Sequence, residues 1–344
     1  MRFIKANINI DFIGKRVVAY GLSLTLIVIS LIYLAVQGGV RPGIDFSGGT
    51  LIQVKFSGPV DVQSIRSALG DEMGNASVQH FGKTEENEYL IRTIEPDTDI
   101  NAHTKKLKEA LTIATGKEIE IRRVEMVGPQ VGKELREKAS KALFFALLFI
   151  AIYISGRFEA KWISSGIMVA ALILCVYILS AFNVSIPMLI VAAMIIAIGL
   201  FWILNLKYSM GAIVALLHDV TITVGIFSIL GKEFTLSIVA ALLTIVGYSL
   251  NDTIIVYDRI RENLRTQRKN SFPDIINSSI NGTLSRTILT SGTTMVVLLA
   301  LFIWGGDIIH DFAFTMIIGV LVGTYSSIYV ASPILLAWER KESK

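Results

Sequence analysis

Apolar runs recur along this chain at roughly 17–36, 139–155, 163–182, 186–204, 209–230, 235–257, 285–304 and 312–337. Several are about 20 residues long, enough for a helix to cross a hydrocarbon core of ~30 Å. The backbone of such a run must satisfy its own hydrogen bonds inside the membrane, and a helix does so. The expected fold is therefore an α-helical multi-spanning membrane bundle, with about eight spans by the hydropathy window. Charged residues are only 17% of the 344, against about 25% in a soluble domain.

The charges orient the bundle. Arg2, Lys5, Lys15 and Arg16 precede the first run, and Arg157 and Lys161 follow the second. Lys207 lies between the fourth and fifth, Arg259, Arg261, Arg265, Arg268 and Lys269 between the sixth and seventh, and Arg340, Lys341 and Lys344 at the end. With eight spans all five segments fall on one side, which is then cytoplasmic. The expected location is the bacterial inner membrane, with both termini cytoplasmic. The net charge of +4 is explained by these flanking residues, so no nucleic acid is implied. The first run is longer than a signal-peptide core and has no small-residue cleavage site after it, so it reads as a true span. The one cysteine, Cys175, allows no disulfide within the chain.

Residues 40–138 are polar and too long for a simple loop. Ile52, Val54 and Phe56 alternate with Gln53 and Lys55, which reads as a strand. Val62, Ile65 and Leu69 recur at helical spacing. Strands are expected at 77–81 and 88–93, an amphipathic helix at 98–115, and a last strand at 118–127. The order βαββαβ is that of the ferredoxin-like split βαβ, here an extracytoplasmic domain. The division expected is a cytoplasmic N-terminus and first span (1–39), this domain (40–138), and a transmembrane bundle (139–344). The bundle includes an inserted apolar pair at about 162–205 and a cytoplasmic loop at 258–284. The basic part of that loop reads equally as a helix near the membrane surface.

Several motifs punctuate this frame. Gly43–Thr50 reads GIDFSGGT, Ala215–Asp219 reads ALLHD, and Ala240–Arg265 reads AALLTIVGYSLNDTIIVYDRIRENLR. Ser285–Thr294 reads SRTILTSGTT, and Gly323–Pro333 reads GTYSSIYVASP. Together these resemble the SecF family of protein-export membrane proteins, part of the resistance-nodulation-division superfamily. Gly43, Asp45, Phe46, Gly48 and Gly49 match its glycine motif, with Ser47 where the pattern has Thr. The family pattern has six spans, so the pair at about 162–205 is an insertion. The resemblance implies a non-enzymatic accessory subunit that uses the proton gradient late in protein export. The implied partners are SecD, the SecYEG channel, unfolded exported polypeptides and membrane lipids.

Ionisable residues inside spans cost at least ~2.5–3.5 kcal/mol on insertion scales, so they persist where they pair, line water or move protons. Asp252 shares a helical face with Tyr248 and Ile255, beside Gly247 and Asn251. Arg286 opens the seventh run, followed by Thr290 and Thr293. The two polar stripes are expected to meet. Arginine stays charged, so a relay built on this pair puts the proton on Asp252 and the switching charge on Arg286. A static buried ion pair is the alternative, and the resemblance favours the relay. His218 and Asp219 lie mid-span; histidine can shuttle protons, but neighbours point about 100° apart on a helix and need not pair.

Gly48 and Gly49 suit a tight entry into the first strand, which makes Asp45 structural. Gly319 and Gly323 form a close-packing face or a chance spacing. His80, His103 and His310 are scattered, so no metal site is expected. There is no phosphate loop, and no cofactor is implied. Two other functions remain open: a small-molecule exporter of the same superfamily, or a scaffold that stabilises an export complex without moving protons.

Overall fold

The computed structural model describes residues 8–70, 76–82, 86–93, 100–159, 162–181 and 186–342. In chain order the elements begin with α1 (Arg16–Gln37), α2 (Ile44–Ser47), β1 (Gly49–Phe56), α3 (Val62–Leu69), β2 (Ser77–Phe81), β3 (Glu88–Thr93), α4 (Ile100–Thr115) and β4 (Ile119–Val127). The rest is helical: α5 (Pro129–Glu159), α6 (Trp162–Ala181), α7 (Ile186–Ile203), α8 (Lys207–Ile229), α9 (Leu236–Thr266), α10 (Phe272–Trp304), α11 (Asp307–Ser326), a π-helical turn (Ser327–Ala331) and α12 (Ser332–Glu342). The chain divides into two units, Met1–Arg41 with Ser140–Lys232 and Ser237–Lys344, and Pro42–Ala139 with Glu233–Leu236.

In the helical unit, six helical runs among the described residues are long and apolar enough to cross a membrane. They are α1, α5, α8, α9, α10 and the continuous stretch Ile309–Trp338. The count is six where about eight were expected. The inserted segment forms α6 and α7, of 20 and 18 residues, each shorter than any of the six. The side chain of Cys175, on α6, lies outside the described residues.

The stretch at 258–284, expected as a loop or as a helix near the membrane surface, is largely helical. α9 runs on to Thr266 and α10 begins at Phe272, so only a short turn separates them. The reason lies in the apolar face that continues past the hydrocarbon length. Ile260, Ile276 and Ile280 are all nearly fully buried in one cluster with Phe12, Tyr208 and Leu335. Ser271 caps α10 by accepting the Asp274 N–H, with Pro273 in the first turn, a standard helix start.

The α11–α12 stretch is interrupted at Ser327–Ala331. Ser332 donates its hydroxyl to the Ser327 carbonyl at 2.8 Å, and Tyr257 donates to the Ala331 carbonyl at 3.0 Å. A π-turn frees carbonyls that an α-helix would consume, and a buried tyrosine from α9 takes one of them.

In the second unit, the four strands pair antiparallel in the order β2–β3–β1–β4. Ile52, Val54 and Phe56 point to one face and are at most 1% exposed. Ile65 and Leu69 from α3 and Leu107 and Leu111 from α4 cover that face. The alternation in the sequence thus becomes a sheet with one buried side. Glu233–Leu236, the segment joining α8 to α9, packs with this unit.

Candidate functional site

Asp252 sits on α9 where α9 meets α11. The approach is close because Gly319 and Gly323 line it. A Cβ at Gly319 would lie 2.2 Å from Ile245, and one at Gly323 would lie 2.9 Å from Ser249. The Gly-x-x-x-Gly spacing is therefore a packing face.

At this contact Asp252 is 1% exposed. Its Oδ2 accepts a long hydrogen bond, 3.5 Å, from the Ser291 hydroxyl of α10, and Ser291 is 2.7 Å from the Thr324 hydroxyl of α11. Its Oδ1 is buried with no hydrogen-bond partner. The same holds for the Tyr248 hydroxyl and the Thr287 hydroxyl. Tyr248 lies one turn before Asp252 on α9, and Thr287 one turn before Ser291 on α10. Buried polar atoms without partners are rare and costly, about 1–3 kcal/mol each.

Arg286 is placed differently from the expectation. It is exposed on α10, and no hydrogen bond or ion pair joins it to Asp252. Five residues separate Arg286 from Ser291, about 140° around the helix and ~7.5 Å along it. The α10 residue that bonds Asp252 is Ser291. Thr290 and Thr293 donate their hydroxyls to the Arg286 and Leu289 carbonyls of their own helix, at 2.9 Å each. Asn251 is exposed, and nothing lies within 4 Å of a Cβ built at Gly247. The stripe of Arg286, Thr290 and Thr293 thus makes no bond to Asp252; Ser291, outside that stripe, makes it.

His218 and Asp219, on α8, do bond to each other, with Nδ1 and Oδ1 2.8 Å apart. Both are buried, at 4% and 0% exposure. Angular separation on a helix did not prevent contact between these neighbours. Asp219 Oδ2 accepts from Ser249 of α9 at 2.5 Å and from Ser326 of α11 at 2.8 Å. His218 Nε2 is 3.0 Å from the Ser23 hydroxyl of α1. Ser23, Ser249, Ser291, Thr324 and Ser326 were not singled out in the sequence. The signal was there: each is a hydroxyl inside an otherwise apolar helix.

The glycine motif forms the base of the second unit. Gly48 and Gly49 hold φ of +73° and +115°, a region that L side chains avoid. A Cβ at Gly48 would also strike the Pro129 backbone at 2.9 Å. Gly43 donates its N–H to the Phe234 carbonyl at 2.8 Å, and Asp45 Oδ2 accepts the Leu236 N–H at 2.8 Å. The Phe46 and Phe234 rings lie 6.3 Å apart. Arg92 of β3 binds the Pro42 carbonyl at 3.0 Å, the Ser47 hydroxyl, and Glu233 at 3.5 Å. Asp45 is thus a structural acceptor, and Arg92 with Glu233 is a contact that no sequence motif announced. Among the described residues, no group of three His, Cys, Asp or Glu is arranged to hold a metal ion. The His103 side chain lies outside the described residues.

Residues 107–202 and 181–341 match the family described as protein export membrane protein SecD/SecF, C-terminal, and residues 33–60 match the SecD/SecF GG motif. A relative from Magnetococcus marinus, protein translocase subunit SecF, is 45% identical over 97% of this chain and 93% of its own length. The chain belongs to the SecF family. A SecF from Rickettsia prowazekii is 35% identical over 99% of this chain and 95% of its own length. Among solved structures, a Thermus SecDF described as translocon-associated matches at TM-score 0.76 and 31% identity. The match covers 97% of this chain but only 39% of that one. SecDF in its super-membrane-facing form matches at TM-score 0.64. Membership of SecF makes the chain a multi-pass membrane protein and an accessory subunit of Sec protein export.

Proposed function

We propose that this SecF couples proton flow across the bacterial inner membrane to movement of its extracytoplasmic domain during the late steps of protein translocation. The observation that carries the reading is the buried Asp252 carboxyl with a partnerless Oδ1, with further partnerless hydroxyls on Tyr248, one turn before it, and on Thr287 of α10. An oxygen in that position can take a proton or a water; a carboxylate that only fixed packing would have its lone pairs filled. Asp252 holds the proton, Ser291 and Thr324 form the first hydrogen-bonded step away from it, and Arg286 supplies a fixed charge. In this reading α6 and α7 add two further spans to the six, and both termini are cytoplasmic. The domain is a ferredoxin-like split βαβ, which its strand order and antiparallel pairing support. SecD supplies the missing half of the membrane body, SecYEG the channel, and an unfolded exported polypeptide the load.

The test replaces Asp252 with Asn and Arg286 with Met in the assembled complex. Each variant should lose gradient-stimulated completion of export at least tenfold while the complex still assembles. Full gradient stimulation in both would leave the protein a scaffold. A crosslinking map in native membranes without SecD and SecY contacts would favour a small-molecule exporter.

A further inference from the structure

The hydrogen bonds around His218 fix a proton count. Tyr325 donates its only hydroxyl proton to the Ala19 carbonyl at 2.7 Å. The bond of 3.1 Å between Tyr325 and Ser23 is then donated by Ser23. Ser23 has no second proton, so in its 3.0 Å bond to His218 it accepts, and Nε2 carries a hydrogen. On the other side of the ring, Nδ1 and Asp219 Oδ1 share one proton across 2.8 Å. The pair is net neutral whichever atom holds that proton. Ser249 and Ser326 fill Oδ2 by donation.

Other groups facing the pair are few. The Tyr325 ring stacks at 6.0 Å on the imidazole, and Thr223 on α8 is buried with an unpartnered hydroxyl. No lysine or arginine among the described residues bonds to either. The histidine end of this chain borders a cavity of about 540 Å³, whose few polar lining groups are Tyr20, Ser23, His218 and Thr221.

We propose that His218 and Asp219 form a second proton-holding centre, exchanging with the cavity through Ser23 and joined to the Asp252 region by α9 and α11. In the exchange, Ser23 turns its hydroxyl proton away from Tyr325 and accepts the Nε2 proton. The Nε2–H bond breaks as Ser23 gains that proton, and the original Ser23 O–H proton passes to a water in the cavity, which carries it away as hydronium. Nδ1 keeps its hydrogen and donates it to Asp219. The carboxylate then holds one negative charge on three donors: Nδ1, Ser249 and Ser326. Return of a proton to Nε2 restores the neutral pair. Ser249 is one turn from Asp252, and Ser326 is two residues from Thr324, which bonds Ser291 beside Asp252. A change of charge at Asp219 therefore acts on the two helices that frame Asp252. The coupling to Asp252 rests on the proton-coupled function proposed above; the proton exchange itself does not.

The chain has four histidines, so ¹⁵N-histidine spectra of the full protein in bilayers are assignable with a His218→Gln control. Over a measurement series from about pH 5 to 8, the expected result is a His218 signal that begins with Nε2 protonated and converts to the Nδ1–H tautomer. In Ser23→Ala that conversion should shift or vanish. His218→Gln should flatten the pH profile of gradient-driven export while the complex still assembles. A His218 signal fixed in one form across that range, or a pH profile unchanged in His218→Gln while Asp252→Asn abolishes gradient stimulation, overturns the second centre and spares the first.

Discussion

At the residue scale, Gly48 and Gly49 hold φ of +73° and +115° at the entry to β1, and Asp252 is 1% exposed within α9. A glycine that must hold positive φ can be read from a motif, as at Gly48 and Gly49. A buried carboxylate can be read from an apolar run, as at Asp252. The partner of that carboxylate could not be read, because a rotation of about 140° on α10 decides between Arg286 and Ser291. Arg92 illustrates the same limit: it alternates normally in a strand, yet its guanidinium gathers Pro42, Ser47 and Glu233. Arg92→Ala removes those bonds from residues far apart in sequence. It should cost roughly 1–3 kcal/mol, seen as faster amide exchange at Gly43 and Leu236 with the rest of the sheet unchanged. Arg92→Lys restores a charge without the planar fork and should recover less than half of the loss. Equal exchange in all three proteins would show that the contact holds nothing.

At the element scale the sequence reading did best where one face decides everything. The alternation in β1 and the helical spacing in α3 correctly placed the buried side of the sheet, because a slip of one residue would expose Ile52, Val54 and Phe56 together. It did worst where helices outlast the membrane. No hydropathy window sees that α9 and α10 continue as a packed pair beyond the hydrocarbon. Helix contacts in the bundle rest on small residues. A Cβ at Gly225 of α8 would lie 2.9 Å from the Ser30 backbone of α1, a clash that no rotamer change relieves. Gly225→Leu should force α1 from α8, lowering the detergent melting temperature by several degrees and reducing folded protein. Gly166→Ala, where nothing lies within 4 Å, should leave it equal or slightly higher, since alanine favours helix by about 1 kcal/mol. Equal melting of both variants would mean that α1 is not held at Gly225.

At the scale of the whole molecule, the helical unit leaves one surface that hydrocarbon cannot satisfy. α10 exposes Arg286, Gly292 and Thr293 together with Val296 and Val297, and α9 exposes Gly247 and Asn251. An arginine or an asparagine amide facing lipid has no partner for its donors and costs kilocalories. Small residues beside them leave room for another backbone to approach. By contrast α1 exposes Val17, Val18, Leu22 and Leu24, a face that lipid covers without loss. A chain that matches about two fifths of a longer SecDF has a natural cover for the first face in the SecD half. With Cys175 replaced by Ala, a cysteine at Thr293 should crosslink to SecD in membranes, and one at Val18 should not. The crosslink should persist in Asp252→Asn, because Asp252 is buried and does not lie on the exposed face. Crosslinking from Val18 with none from Thr293 would put SecD on the other side, and Arg286 would then need a different cover.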